Sequence, residues 1–357
     1  MRLRVIDFGS VPALRSQAVY HGLAEAFRPG DGPVLSLVNP SDPYVCIGLH
    51  QEVALDVDED YCRGAGLPVI RRHVGGGAVY LDAGQMFFHF IYPPAQVPAR
   101  AVEIYPRFIE PVVRTYRALG VEAAFRPVND IHVHGRKIGG TGAARIGAAA
   151  VMVGSFMFDF DIETMARCVR VPSEKFRDKL RLTLRDYMTT LRRELDQPPS
   201  RAHLKTLFLE QVETCLGVTA VEDRPTAAEE AAIRAAETEL ADPEWTHRLG
   251  RRRAAMGVKI AAGTHLTEGL HKAPGGLVRV ILRERDGRID DLLIEGDFTA
   301  LPDDGVAALA QRLRGVELTG AALLPAITGA VAEIGLDLPG VAPGDLVAAL
   351  LGALHRP

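Results

Sequence analysis

Two short stretches combine residue types that can do chemistry. The first is Arg71-Arg72-His73-Val74-Gly75-Gly76-Gly77-Ala78-Val79-Tyr80. Three successive glycines remove every Cβ from a turn, so the backbone can approach a ligand closely and aim N–H groups at an anion. The two arginines ahead of it supply planar donors suited to carboxylate or phosphate. The same residues would also make a tight hairpin with solvated arginines, and the glycines alone do not separate the two readings. The spacing is neither a Walker A loop nor a GxGxxG fingerprint.

The second stretch runs from Asn129-Asp130-Ile131 through Gly135-Arg136-Lys137-Ile138-Gly139-Gly140-Thr141-Gly142-Ala143. Lys137 opens a segment of small residues that leave its ammonium unscreened, read as a turn. A point charge on a flexible stem suits an acyl-phosphate oxygen or a carboxylate. It could stabilise charge that develops as a carboxylate attacks an α-phosphorus. Asp130 could help to hold Mg²⁺, which needs few protein carboxylates when phosphates supply other ligands. Asn129 could hydrogen-bond a nucleotide. A surface lysine in a turn and an Asn/Asp turn initiator are the plainer alternatives.

The four cysteines, Cys46, Cys62, Cys168 and Cys215, form no metal-ligand or disulfide spacing. Cys168, between Arg167 and Arg170, is the best candidate for a thiol nucleophile, and an ordinary buried thiol is the stronger expectation. Cys46 sits in the apolar run 44–48 and reads as core. His50 and Gln51 follow that run, lining either an acyl pocket or a solvated loop. His132 and His134 alternate with apolar residues as on one face of a strand, with no third ligand nearby in sequence.

The elements that must position these residues begin with a strand over 3–8 and a helix over 11–27. Strands are expected over 34–38 and 44–47, either side of a Pro/Ser/Asp turn, then over 67–71, 77–81 and 86–92. A helix is expected over 101–119, strands over 131–133 and 148–160, a charged helical stretch from 173 to 216 and an Ala/Glu-rich helix within 222–243. Strands do not alternate strictly with helices, which points to an α+β fold with a mixed or mainly antiparallel sheet. Beyond Trp245 the pattern resets. Strands over 277–284 and 288–295 flank an Asp-Gly hairpin, and helices follow at 303–313 and 320–334. The expected organisation is a large domain, 1–243, and a small α+β domain, 244–357.

The 357-residue chain is 47% hydrophobic and 24% charged, with formal net charge -4. Its longest basic run is Arg251-Arg252-Arg253, so no nucleic-acid footprint is expected. Neither a signal peptide nor a membrane span is evident, so a cytoplasmic protein is expected, and a monomer because no exposed coiled-coil seam is apparent.

Together the two stretches carry a resemblance. RRHVGGGAVYLDAGQMFFHFI resembles the arginine–triple-glycine signature of the lipoate–protein ligase and octanoyltransferase superfamily, which is related to biotin ligases. NDIHVHGRKIGGTGAAR resembles its lysine motif, PSEKFRDK and TLRDYMTTLRREL resemble the segment that follows, and GGLVRVILRERDGRIDDLLIEGDFTAL resembles the accessory domain of the lipoate–protein ligase A branch.

The resemblance implies that Arg72 and the turn Gly75, Gly76, Gly77, Ala78, Val79 and Tyr80 bind ATP and then the adenylate, beside Asn129 and Asp130, with Mg²⁺ at Asp130. It implies that Lys137 contacts both the lipoyl carbonyl and the phosphate, with Arg72, His73, Gly76 and Gly140 also near lipoate. The dithiolane tail would occupy an apolar slot. Leu81 departs from the histidine many relatives carry before Asp82, and His73 and the 139–142 run are also untypical.

The implied activity is ATP-dependent: lipoyl-AMP forms, and the acyl group passes to a lysine of a carrier such as a dehydrogenase E2 lipoyl domain or the glycine-cleavage H protein. An ATP-independent octanoyl or lipoyl transferase would need an acyl-thioester cysteine. A non-catalytic lipoate-binding protein would have no use for Lys137, and the spelling of the motifs fits biotin less well.

Overall fold

The computed structural model describes residues 1–248 and 264–354. The run Arg251-Arg252-Arg253 lies outside them. The chain divides into two compact units: 1–46, 54–72 and 79–246 form one, and 47–53, 73–78 and 247–357 form the other.

The first unit carries strands β1 (Arg2–Val11), β2 (Val34–Pro40), β3 (Tyr44–Ile47), β4 (Val69–Arg71), β5 (Val79–Leu81) and β6 (Gln85–Tyr92). Further along are β7 (Ala123–Arg126), β8 (Asp130–Val133), β9 (Arg136–Ile146), β10 (Ala149–Met157) and β11 (Thr219–Asp223). Its helices are α1 (Ala13–Ala26), α2 (Val53–Asp56), α3 (Glu59–Gly64), α4 (Ala101–Ala118), α5 (Ile162–Cys168) and α6 (Glu174–Tyr187). After these come α7 (Leu191–Glu194), α8 (Arg201–Leu216), α9 (Ala227–Ala241) and α10 (Pro243–Thr246).

An eight-stranded sheet runs in the order β11-β1-β2-β6-β10-β9-β8-β7. β1 is parallel to β2 and β11, whereas β6, β8, β9 and β10 pair antiparallel, so the sheet is mixed and the fold is α+β as expected.

Every residue of β6 is buried, which requires cover on both faces. Alternation assigns the faces. Phe88 and Phe90 meet Phe208 of α8 at 5.4 and 6.1 Å, and Phe90 meets Phe108 of α4 at 5.0 Å. On the other face His89 meets Tyr20 of α1 at 5.2 Å, and α9 packs outside α1. The start of α9 is fixed by a capping box between Thr226 and Glu229. A small sheet, β4-β3-β5, lies in the same unit.

The second unit contains an antiparallel meander of β12 (Thr264–Ala273), β13 (Gly276–Arg285) and β14 (Arg288–Gly296). The β13–β14 turn has positive φ at Asp286 and Gly287, the two-residue hairpin that Asp-Gly predicts. α11 (Gly305–Arg312), α12 (Gly320–Ile334) and α13 (Pro343–Leu354) close its core around Val278, Val280, Leu323 and Ala349. α13 was not expected, because its Ala- and Gly-rich sequence shows little periodicity. Among the described residues, no helix is long and apolar enough to cross a membrane.

Candidate functional site

The lysine stretch does not form the expected turn. Lys137 is the second residue of β9, an eleven-residue strand paired on one side with β8 and on the other with β10. A run of Gly, Ala and Thr reads as loop by composition, yet small residues suit a strand crowded from both faces. A Cβ at Gly139 would lie 3.3 Å from the Ser155 carbonyl, and one at Gly154 on β10 would collide with Phe88. The turn itself is His134-Gly135, both at positive φ (48° and 80°), joining β8 to β9. His134 is therefore an exposed turn residue, not a strand partner of buried His132.

The β8–β9 register sets Asp130 opposite Gly140. Lys137 Nζ lies 2.6 Å from Asp130 Oδ1, both side chains partly exposed. A Cβ at Gly140 would stand 3.1 Å from both Cε and Nζ of Lys137, so glycine there makes the space the ammonium occupies. Asn129 is held by Thr141: its side-chain amide donates to the Thr141 carbonyl, while its own carbonyl accepts from Thr141 N at 3.0 Å and Oγ1 at 2.9 Å. The segment after α6 braces the same hairpin, with Thr189 N donating to the Lys137 carbonyl at 2.8 Å. Arg136 pairs with Glu194 at 2.8 Å, and Thr189 Oγ1 also donates to Glu194. Asn129, Asp130, Lys137 and Gly140 are thus one cluster. Tyr187, whose hydroxyl lies 3.4 Å from Asp130 Oδ2, belongs to it as well. Sequence spacing gave no sign of Tyr187, which is remote along the chain.

The arginines before the glycine turn differ from one another. Arg71, read as a ligand donor or a solvated cation, is fully buried. Its guanidinium donates to the Thr246 carbonyl at 2.7 and 3.0 Å, and Trp245 Nε1 donates back to the Arg71 carbonyl at 2.9 Å. It ties β4 to α10. Arg72 is half-buried and donates to the Cys46 carbonyl at 3.2 Å. β5 receives Val79 and Tyr80 after the turn, with Met165 Sδ accepting from Tyr80 N at 3.2 Å. Burial, and then the Asp82 carboxylate, raise the Tyr80 phenol well above its ordinary value. Leu81 is buried and pairs with Tyr44, while Asp82 caps the tight turn at Gly84.

The glycine turn belongs to the second unit with residues 47–53. Each glycine has its own reason. A Cβ at Gly75 would collide with the Phe298 carbonyl and lie 2.8 Å from Thr299 Cα. Gly76 has φ +92° and donates its N–H to the Phe298 carbonyl at 3.2 Å. Gly77 is exposed, with Asp297 Cβ 3.8 Å from where its Cβ would be. Gly48, which sequence reasoning passed over, is required because a Cβ there would strike the Gly76 carbonyl. His73 and Ala78 flank the turn, half-buried. His50 stacks on Phe298 at 5.3 Å, and Gln51 Oε1 accepts from Gly48 N at 3.0 Å. Both are buried supports of this turn, so the solvated-loop reading is wrong.

Cys46, Cys62 and Cys168 are buried, and Cys215 is half-buried. Cys168 is buried against Cys62, and the hydrogen bond between them, with burial, pushes its thiol far above its ordinary value. Cys62 shifts the other way through the same contact, but it too is buried. Burial raises Cys46 and Cys215 as well.

Known proteins share this sequence and fold. Over 268 residues the chain is 26% identical to lipoate-protein ligase LplJ of Bacillus subtilis, covering 74% of this chain and 76% of that one. It is 28% identical over 272 residues to octanoyltransferase LipM of Kyrpidia tusciae, covering 69% of this chain and 98% of that one. A bipartite lipoate protein ligase of Thermoplasma acidophilum, solved in a study of that ligase and its E2 lipoyl domain, superposes with TM-score 0.63 at 26% identity. That match covers 70% of this chain and 96% of that one. A lipoate-protein ligase A bound with ATP gives TM-score 0.61 at 23% identity, over 70% of this chain and all of that one. LipL1 of P. falciparum in complex with lipoate gives 0.69 at 14% identity, over 98% and 99%, a likeness of fold. Residues 12–213, more than half of the chain, match the lipoyl protein ligase A/B catalytic domain, and the protein belongs to that family of ligases and acyltransferases.

Proposed function

We propose that the protein is an ATP-dependent lipoate–protein ligase. The observation that carries this reading is the Lys137–Asp130 pair on adjacent strands, with Gly140 leaving room at the ammonium. An ammonium so placed can neutralise charge on a carboxylate and a phosphate brought together, which is what adenylate formation requires.

The lipoate carboxylate attacks the α-phosphorus of ATP and pyrophosphate leaves. The neutral amine of a carrier lysine then attacks the acyl carbonyl, forming the amide and releasing AMP. Lys137 stabilises the developing negative charge in both steps, with Asn129 beside the nucleotide and Arg72 beside the acyl-phosphate. We assign the backbone of 75–78, with Val79 and Tyr80, to adenylate binding. We assign His73, Gly76 and Gly140 to lipoate binding. Asp130 would hold Mg²⁺ only by sharing an oxygen that now faces Lys137 or Tyr187, with phosphates and water supplying most of that ion's ligands. Bound there, Mg²⁺ would neutralise phosphate charge.

Two further points favour a ligase over a thioester-using transferase. Three of the four thiols are buried and the half-buried Cys215 has a raised pKa, and the match that covers 98% of the octanoyltransferase takes in only 69% of this chain. We assign the remainder, 244–357, as an accessory domain of the adenylating enzyme, and a lipoyl-carrier domain in the cytoplasm as the acceptor.

The test is conversion of α-labelled ATP to lipoyl-AMP with lipoate and Mg²⁺, comparing wild type with Lys137→Ala. Adenylate from wild type and a loss of about 100-fold or more in the variant are expected. Absence of adenylate from wild type, together with acyl transfer from a carrier thioester, would overturn the ligase reading.

A further inference from the structure

Asp130 has two carboxylate oxygens with separate partners. Oδ1 holds the Lys137 ammonium at 2.6 Å. Oδ2 lies 3.4 Å from the Tyr187 hydroxyl and 3.6 Å from His132 Nε2. The phenol is also 3.5 Å from His132 Nε2, and the two rings meet edge to face at 5.5 Å. His132 Nδ1 faces the Gly135 carbonyl at 3.2 Å, with Arg126 approaching at 3.4 Å. Nδ1 thus lies between a carbonyl acceptor and a guanidinium donor, while Nε2 faces both the phenol and Asp130 Oδ2. Tyr187 donates its O–H toward Asp130 Oδ2, beside His132 Nε2, while Lys137 takes Oδ1.

The backbone repeats this arrangement. Tyr187 is the last residue of α6, Met188 bridges to Lys137, and Thr189 N donates to the Lys137 carbonyl. α6 buries no residue of its own, so core packing does not account for the position of Tyr187. Three consecutive residues instead grip the lysine strand by its backbone and its counter-ion together.

We infer that Tyr187, backed by His132, is a positioning residue that fixes the Asp130 carboxylate and through it the Lys137 ammonium. The inference rests on the ligase reading for its kinetic consequence but not for its geometric one.

Tyr187→Phe keeps the ring and removes the donor. Its kcat for lipoyl-AMP formation is expected to fall about fivefold with KM for lipoate nearly unchanged, because the loss is in placing charge rather than binding. His132→Leu should behave alike, and the double variant should be no worse than either single, since both act through one carboxylate. A merely structural role would instead lower the thermal midpoint and give additive losses.

The second measurement does not need activity. Amine labelling of the whole protein by an N-hydroxysuccinimide ester, read by peptide mass spectrometry, should show Lys137 protected relative to exposed Lys175 and Lys179. Tyr187→Phe should raise labelling of Lys137 about threefold with the other two unchanged. Unchanged labelling in a folded variant would overturn the inference. Wild type that makes no adenylate, yet shows this labelling shift, would sink the ligase reading and leave the positioning role standing.

Discussion

At the scale of single residues, the proposed chemistry depends on where one ammonium sits. Lys137 is held by a carboxylate across a strand pair and by the missing side chain of Gly140. Gly140→Ala places a methyl 3.1 Å from Cε and Nζ, tighter than ordinary contact, and the flexible lysine is what yields. The expected result is a drop in lipoyl-AMP formation of about tenfold at nearly unchanged thermal stability, since displacement of a charged group by a fraction of an ångström suffices. Retained activity in Gly140→Ala would mean that the ammonium acts from some other position. Lys137→Arg should not restore the activity lost in Lys137→Ala, because the guanidinium fork cannot occupy the space of a point charge.

At the scale of elements, glycine marks close approaches that only the fold reveals. Gly22 lies mid-helix in α1, where a Cβ would collide with the backbone of Ile233 in α9 and stand 2.8 Å from Ala232 C. Backbone cannot swing aside, so Gly22→Ala must separate the two helices. A loss of about 2–3 kcal/mol is expected in urea unfolding, whereas helix propensity alone predicts a gain of about 1 kcal/mol. A neutral or stabilised variant would show that the contact is not as close as described.

Such cases show what was readable beforehand. The periodicity of β2, β3, β6 and α4 gave those elements nearly to their bounds, because alternation and 3.6-residue spacing are local properties. β9 was read as a turn because its glycines and alanines carry a loop composition. Their reason for being there, contact with Ser155 and Ile131 on neighbouring strands, is long-range. The grouping of Asn129, Asp130 and Lys137 was legible, since they stand close together in the sequence. Tyr187 and the structural role of Arg71 were not, as each depends on a partner more than fifty residues away.

At the scale of the whole molecule, the sheet of the first unit carries a titratable group at its centre. His89 lies on β6, fully enclosed between α1 and the sheet, with Ser36 Oγ 2.9 Å from Nδ1 and the Tyr20 ring at 5.2 Å. Burial lowers its pKa to about 3, so the folded protein holds it neutral. The sign follows from comparing states. Below the ordinary value near 6.5 the unfolded chain binds a proton that the folded one refuses, so stability falls with acid from there until about pH 3. The slope approaches about 1.4 kcal/mol per pH unit. Carboxylates with lowered pKa, such as Asp223 beside Arg4, contribute stability that is lost only as pH falls below their own unfolded range near 4. The window between about pH 6.5 and 5 therefore isolates the histidine contribution. Urea midpoints across that window should decline in wild type, and His89→Gln, which keeps a hydrogen-bonding group but cannot titrate, should decline much less even if it starts lower. Parallel declines in the two proteins would show that His89 accepts its proton in the folded state and that the core around β6 admits water.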